Sequence, residues 1–233
     1  MNWAAVIVAA GRGTRLGEPK QLIELAGLPM VGWSMRTFAA MPEIGEIVVA
    51  TEPENLEAMR ALFARIAPER RSCIVRGGAV RQQSVYEGLR AVSEACDAVL
   101  VHDGARPLLR IEDARAGMLE VRNGRASLLA QPIVDTIKRV DRASLRVAAT
   151  LDRTTLWAAQ TPQFATLADL RGAHERALRD GMEATDDAAL LERIGVEVVV
   201  VASTAENFKV TLPDDVARAD AILRARALLA KTG

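Results

Sequence analysis

The sequence predicts an α/β domain, with a mostly parallel sheet covered by helices on both faces. Short runs rich in valine, isoleucine and alanine alternate with longer segments of helical periodicity. These runs are continuously apolar, as strands covered on both faces are, whereas half-exposed strands alternate. With 233 residues, half of them hydrophobic, the chain is also long enough to bury such a sheet.

The first strand is Ala4–Ala9, which runs into a glycine-rich stretch. A helix over Met30–Ala40 precedes the strand Glu46–Ala50, and a helix over Pro53–Ile66 precedes the strand Ser72–Val75. The alternation continues with helix Val80–Ala95, strand Ala98–His102, helix Glu112–Val121 and strand Ala126–Ala130. Two helices, Leu167–Arg179 and Asp186–Ile194, then lead to the strand Val196–Ala202. A last helix, Pro213–Ala230, has proline in its first turn and caps the domain.

One stretch departs from this pattern. Thr136–Val140 and Leu145–Thr150, joined by Asp141–Ser144, are too polar for the central sheet. They predict a protruding hairpin, an arm over about residues 135–153, whose open edges call for a covering partner. No repeat, low-complexity tract or linker interrupts the rest, so residues 1–233 read as one domain with this excursion.

Lysine plus arginine equals aspartate plus glutamate, 30 each, for a formal net charge of zero. That balance disfavours a general binder of nucleic acid or membrane surfaces, which needs a basic excess. Cys73 and Cys96 have no metal or redox spacing and read as reduced core thiols. Trp3–Ala10 lacks a basic leader, and a spanning helix needs about 20 apolar residues. The expected location is the cytoplasm.

The chemistry begins after the first strand, in Ala9-Ala10-Gly11-Arg12-Gly13-Thr14-Arg15-Leu16-Gly17-Glu18-Pro19-Lys20-Gln21. Glycines there let backbone N–H groups close around phosphate oxygens, and Arg12, Arg15 and Lys20 can neutralise a triphosphate. The plainer alternative is a tight turn with solvated cations. It is not a dinucleotide fingerprint, because Leu16 stands where the third glycine belongs. Nor does Gly-Lys-Ser/Thr follow, as a Walker loop requires. Gly77-Gly78 lies between a strand and a helix, where its backbone can pass close to a flat base, with Ser84 in the first helical turns. His102-Asp103 ends an apolar strand, at the end of the sheet where ligands bind. An aspartate there suits Mg²⁺, a hard cation that prefers oxygen. A turn aspartate paired with Arg106 is the alternative. His102 has no assigned role.

The loop resembles the signature of the nucleotidyltransferase superfamily. Four later motifs follow in register: Gly77-Gly78-Ala79-Val80-Arg81-Gln82-Gln83-Ser84-Val85, His102-Asp103-Gly104-Ala105-Arg106-Pro107, Ala159-Gln160-Thr161-Pro162-Gln163 and Asn207-Phe208-Lys209-Val210-Thr211. Together they are similar to the 2-C-methyl-D-erythritol 4-phosphate cytidylyltransferase family over nearly the whole chain. The resemblance implies a Rossmann-like, three-layer α/β/α fold with an arm that crosses into a second subunit of a homodimer. It implies transfer of a cytidylyl group from CTP to a polyol phosphate with Mg²⁺, and release of pyrophosphate. It assigns CTP to Ala9, Ala10, Gly11, Arg12, Gly13, Gly77, Gly78, Ser84, Asp103 and Gly104, with Asp103 also beside the metal. It assigns the acceptor to Arg106, Thr136, Arg153, Thr161, Thr185 and Lys209, and catalysis to Arg15, Lys20, Arg153 and Lys209.

Two departures from the family pattern stand out. Gly17-Glu18 leaves the loop about two residues short, and Ala79-Val80 replaces a commonly acidic position. Base recognition then rests on backbone groups and Ser84. Three other readings remain: a cytidylyltransferase for another acceptor such as ribitol 5-phosphate, a silent nucleotide-binding regulator, and a nicotinamide-dependent oxidoreductase.

Overall fold

The computed structural model describes residues 1–11 and 20–232, built around a seven-stranded sheet. Its first strand, β1 (Trp3–Ala9), is buried at every residue. A small hairpin, β2 (Glu24–Leu25) with β3 (Leu28–Pro29), leads into α1 (Met30–Ala39). Next come β4 (Ile44–Thr51), α2 (Leu56–Ile66), β5 (Ser72–Arg76), α3 (Arg81–Ala91) and β6 (Ala98–Asp103). The helix α4 (Ile111–Arg122) connects β6 to β7 (Ala126–Pro132). Beyond it the arm forms from β8 (Lys138–Val140) and β9 (Val147–Thr150), a separate two-stranded sheet. The chain then returns through β10 (Trp157–Thr166), α5 (Leu167–Arg179), α6 (Asp187–Arg193), β11 (Val198–Ala202) and α7 (Pro213–Thr232).

The sheet order is β11-β7-β10-β6-β1-β4-β5. Neighbours run parallel except at β10, which is antiparallel to both β6 and β7. From β1 the chain first builds outward through β4 and β5, then returns to place β6 on the other side. That reversal opens a crevice at the carboxyl ends of β1 and β6, where open α/β sheets hold their ligands.

Period-two alternation along β1 divides the core. Trp3, Ala5 and Ile7 pack with Met35, Phe38, Met59 and Met118 of α1, α2 and α4. Ala4, Val6 and Val8 face the other way, toward Val85, Leu89, Leu170 and Leu190 of α3, α5 and α6. The three-layer α/β/α expectation is met. A third cluster seats α7, through Ala219 and Leu223, against Leu25, Met30 and Trp33.

Some expectations need correction. β10 was missed as a strand, because Pro162 and the polar Gln160-Thr161 argue against a central strand. A register shift between Ala159 and Gln163 absorbs the proline. The third helix stops at Ala91, four residues before the expected Ala95, and the Ser93 N–H beyond it donates to the buried Glu46 carboxylate at 2.9 Å. The arm is a hairpin as expected but shorter: Leu145 takes a positive φ of 55° inside the turn, and Asp141 accepts from the Ser144 N–H at 2.8 Å. Cys73 and Cys96 are free thiols. No helix among the described residues is long and apolar enough to cross a membrane.

Candidate active site

Two cavities open at the carboxyl ends of β1 and β6. The larger, about 580 Å³, is lined by Ala10, Gly11, Lys20, Gly78 and Ser84 among others. The smaller, about 250 Å³, is lined by Arg106, Gln160, Thr161, Gln163, Thr185 and Asp186. Arg81, Asp103 and Lys209 line both.

The wall of the larger cavity depends on close backbone approach. A Cβ on Gly77 would fall 2.4 Å from the Ala10 Cβ, so only glycine lets the turn after β5 meet the loop after β1. The Gly77 N–H donates to the Thr51 carbonyl at 2.7 Å, and the Gly78 N–H to the Ser84 Oγ at 3.1 Å. Ser84 does face the cavity, yet its buried hydroxyl is engaged with the turn, with the Gly78 and Val80 carbonyls at 3.3 and 3.1 Å. Ala9 and Gly104 are buried in the frame behind, where the Gly104 N–H donates to the Val8 carbonyl at 2.9 Å. Arg12, Gly13 and Arg15 lie outside the described residues.

Where the cavities meet, Asp103 is buried and gathers cations. Its Oδ2 accepts from the Lys209 Nζ at 2.9 Å and its Oδ1 from the Arg81 Nε at 3.0 Å, while the Arg106 Nε stands 3.9 Å away. Burial alone would raise this carboxyl. Arg81 and Lys209 overcome that and hold it well below the usual carboxylate range. Arg81 also faces Asp187, so Arg81, Arg106 and Lys209 converge with Asp103 and Asp187 at the junction, while Lys20 and Glu52 line the larger cavity and Asp186 the smaller. The three cations at the junction are the groups an anion would meet there.

Lys209 reaches this point because its loop is stitched down on both sides. The Asn207 side chain donates to the Gln160 Oε1 at 3.0 Å and the Thr161 carbonyl at 2.9 Å, and the Val210 N–H donates to the Ala105 carbonyl at 2.8 Å. Arg106 donates to the Asn207 carbonyl at 2.7 Å. Thr161 is buried, and its hydroxyl accepts from the Asp103 N–H at 3.0 Å while lying 3.1 Å from the His102 Nδ1.

Four of the expected acceptor residues, Arg106, Thr161, Thr185 and Lys209, thus line the smaller cavity. Next to Thr185, Asp186 caps α6, its side chain accepting from the Ala189 N–H. Thr136 and Arg153 lie apart, exposed at the arm, with Arg153 donating to the Val134 carbonyl. Sequence reasoning gave no role to Arg81, Gln160 or Asn207. All three sit inside the recognised motifs, so the signal was present but unassigned.

Burial drives the His102 imidazole from its ordinary 6.5 down to about 4. The unfolded chain therefore takes up this proton first. The stability involved is complete above the unfolded value and is lost as pH falls toward 4. Between pH 7 and pH 5 this one group should cost about 2 kcal/mol. Urea unfolding of His102→Gln should show an acid-dependent loss smaller by that amount, and an equal loss in both proteins contradicts the assignment.

Residues 3–225 match the family described as 2-C-methyl-D-erythritol 4-phosphate cytidylyltransferase. A relative of that name from Pelotomaculum thermopropionicum is 40% identical over 226 residues, which cover 96% of this chain and 94% of the relative. One from Bacillus velezensis is 39% identical, covering 97% of this chain and 98% of the relative. Among solved structures, a 4-diphosphocytidyl-2C-methyl-D-erythritol synthase from Anaerococcus prevotii superposes with a TM-score of 0.86 at 27% identity, covering 96% of this chain and 98% of that one. The 2-C-methyl-D-erythritol 4-phosphate cytidylyltransferase of Thermus thermophilus gives 0.78 at 31% identity, covering 96% and 100%.

Proposed function

This chain belongs to the 2-C-methyl-D-erythritol 4-phosphate cytidylyltransferase family, and from that premise we propose how its residues perform the reaction. It transfers a cytidylyl group from CTP to 2-C-methyl-D-erythritol 4-phosphate and releases pyrophosphate. The observation that carries the reading is the meeting of two cation-bearing cavities at Asp103, Arg81 and Lys209.

CTP occupies the larger cavity, its triphosphate along Ala10, Gly11 and Lys20 and its base against the Gly77-Gly78 turn. The acceptor occupies the smaller one, its phosphate drawn by Lys209 and Arg106. An acceptor phosphate oxygen then attacks the α-phosphorus in line, and the bond to the pyrophosphate oxygen breaks. The acceptor phosphate is already an anion at neutral pH, so no general base is needed. Positioning and neutralisation of charge do the rest. Lys20 and Arg15 offset the negative charge that builds on the α-phosphoryl oxygens. Asp103 orients Lys209 and Arg81 at the junction.

Nucleotidyl transfer from a triphosphate calls for a divalent cation, and we assign Mg²⁺. Among the described residues no three His, Cys, Asp or Glu side chains gather to hold a metal, and both Asp103 oxygens already accept from cations. The residues present therefore fit an ion that takes most of its ligands from phosphate oxygens, as Mg²⁺ does, with Asp103 the nearby carboxylate. When bound, it supplies neutralisation of the triphosphate.

The arm completes the assignment. Val134, Leu145 and Val147 are 75%, 77% and 61% exposed on it, and an isolated two-stranded hairpin is marginally stable in water. Two arms that cross in a two-fold homodimer would cover them and deliver Thr136 and Arg153 to the partner's acceptor cavity. The whole chain then works as one domain with an exchanged arm, in the cytoplasm. Pyrophosphate release from CTP with 2-C-methyl-D-erythritol 4-phosphate tests the reading, and its absence in a folded preparation contradicts it.

A further inference from the structure

We propose that Arg81 is a positioning residue that fixes the acceptor cavity relative to the nucleotide cavity, held by Asp103 on one side and Asp187 on the other. The inference rests on the functional reading above. It follows from where three segments converge on one guanidinium. Arg81 is the first residue of α3, directly after the turn that walls the larger cavity. Its Nε donates to Asp103 at the end of β6, and its Nη2 lies 2.9 Å from the Asp187 Oδ2, an ion pair bent away from hydrogen-bond geometry. Asp187 is buried and begins α6, two residues after Thr185 on the acceptor wall.

The rest of that wall depends on the same anchor. The Asp187 and Ala188 N–H groups donate to the Gln163 Oε1 at 2.9 and 2.8 Å, and the Gln163 Nε2 donates to Asp186 at 2.9 Å. The other Asp187 oxygen lies 2.9 Å from the Nε2 of the buried His174. Asp187 is therefore backed by α5 and β10, and among the described residues it reaches the nucleotide side through Arg81. Burial by itself would lower the guanidinium's pKa, but Asp187 and Asp103 hold it above the ordinary value. A planar fork can serve two carboxylates at once, and a lysine ammonium on a single stem cannot match that geometry. In-line attack tolerates little error in the placement of the acceptor oxygen. Loosening Arg81 from Asp187 should then misplace the acceptor while leaving the nucleotide in its cavity.

The test compares Arg81→Lys, Asp187→Asn and the double variant with the parent. Three quantities are read: Kd for CTP by calorimetry without acceptor, KM for 2-C-methyl-D-erythritol 4-phosphate, and kcat. Arg81→Lys should lower kcat and raise acceptor KM by about tenfold each. Asp187→Asn, at a residue that lines neither cavity, should raise acceptor KM by a similar factor with CTP Kd within about threefold. The double variant should be no worse than the worse single one, because both changes break one contact. Acceptor KM unchanged in Arg81→Lys, CTP Kd weakened as much as acceptor KM in Asp187→Asn, or losses that multiply in the double variant would overturn the proposal. If Arg81→Lys does not fold, Asp187→Asn decides alone, since it leaves the guanidinium on Asp103; an unchanged acceptor KM there overturns it. An inactive parent strikes the functional reading and this inference together, whereas an active parent with unaffected variants strikes the inference alone.

Discussion

Lys20→Ala is expected to lower kcat by at least about a hundredfold while the protein keeps its fold, the scale of losing one preorganised contact to a developing oxyanion. Lys20 lines the larger cavity, and its Cε stands 3.8 Å from the position a Cβ on Gly11 would take. The ammonium is thereby kept beside the backbone on which the triphosphate is placed. The neighbouring Gln21 is buried within the 3₁₀ turn Lys20–Leu22, so the segment has an anchor that does not depend on Lys20. Removing the ammonium should leave CTP bound and strip stabilisation from the transition state, so the defect belongs in kcat at saturating CTP. Near-normal turnover in a folded variant removes Lys20 from the mechanism.

Mixing Lys20→Ala with Arg153→Ala should regenerate activity from two inactive preparations. Lys20 belongs to a cavity of its own chain, whereas Arg153 and Thr136 lie exposed at the arm, away from both cavities of that chain. If arms cross in a two-fold dimer, a mixed dimer has one site with both defects and one with neither. Random exchange of equal amounts makes about half of the dimers mixed, so about one quarter of all sites regain full function. If each site is built from one chain, every site keeps a defect. Absence of recovery after verified subunit exchange contradicts the shared site, and a monomer in sedimentation contradicts the dimer.

Most of the fold was legible because buried parallel strands leave continuous apolar runs, and the helix Leu167–Arg179 was read to its ends. β10 was illegible for a physical reason. Its chemistry-bearing centre, Gln160-Thr161-Pro162, is polar and contains a residue that cannot donate to a ladder, so local signals opposed the tertiary outcome. The small β2–β3 hairpin is set by packing against α7, which no local pattern announces. In the site, motif recognition found residues that converge on the smaller cavity from β6, β10 and the loops before α6 and α7. It did not foresee that the Ser84 hydroxyl would tie down the Gly78 turn. Nor did it single out Arg81, whose importance lies in two carboxylates 22 and 106 residues further along the chain.

The central claim is cytidylyl transfer, and the direct measurement is pyrophosphate release by the unmodified protein with each of CTP, UTP, ATP and GTP. Each nucleotide is paired with 2-C-methyl-D-erythritol 4-phosphate and, in parallel, with ribitol 5-phosphate. The cavity wall at Gly77-Gly78 is brought close to Ala10 and held by Ser84, and the base is placed against it. The account predicts kcat/KM for CTP above ATP and GTP by well over tenfold, with the erythritol phosphate as the preferred acceptor. Comparable turnover with ATP would contradict the cytidylyl assignment, and preference for ribitol 5-phosphate would contradict the acceptor.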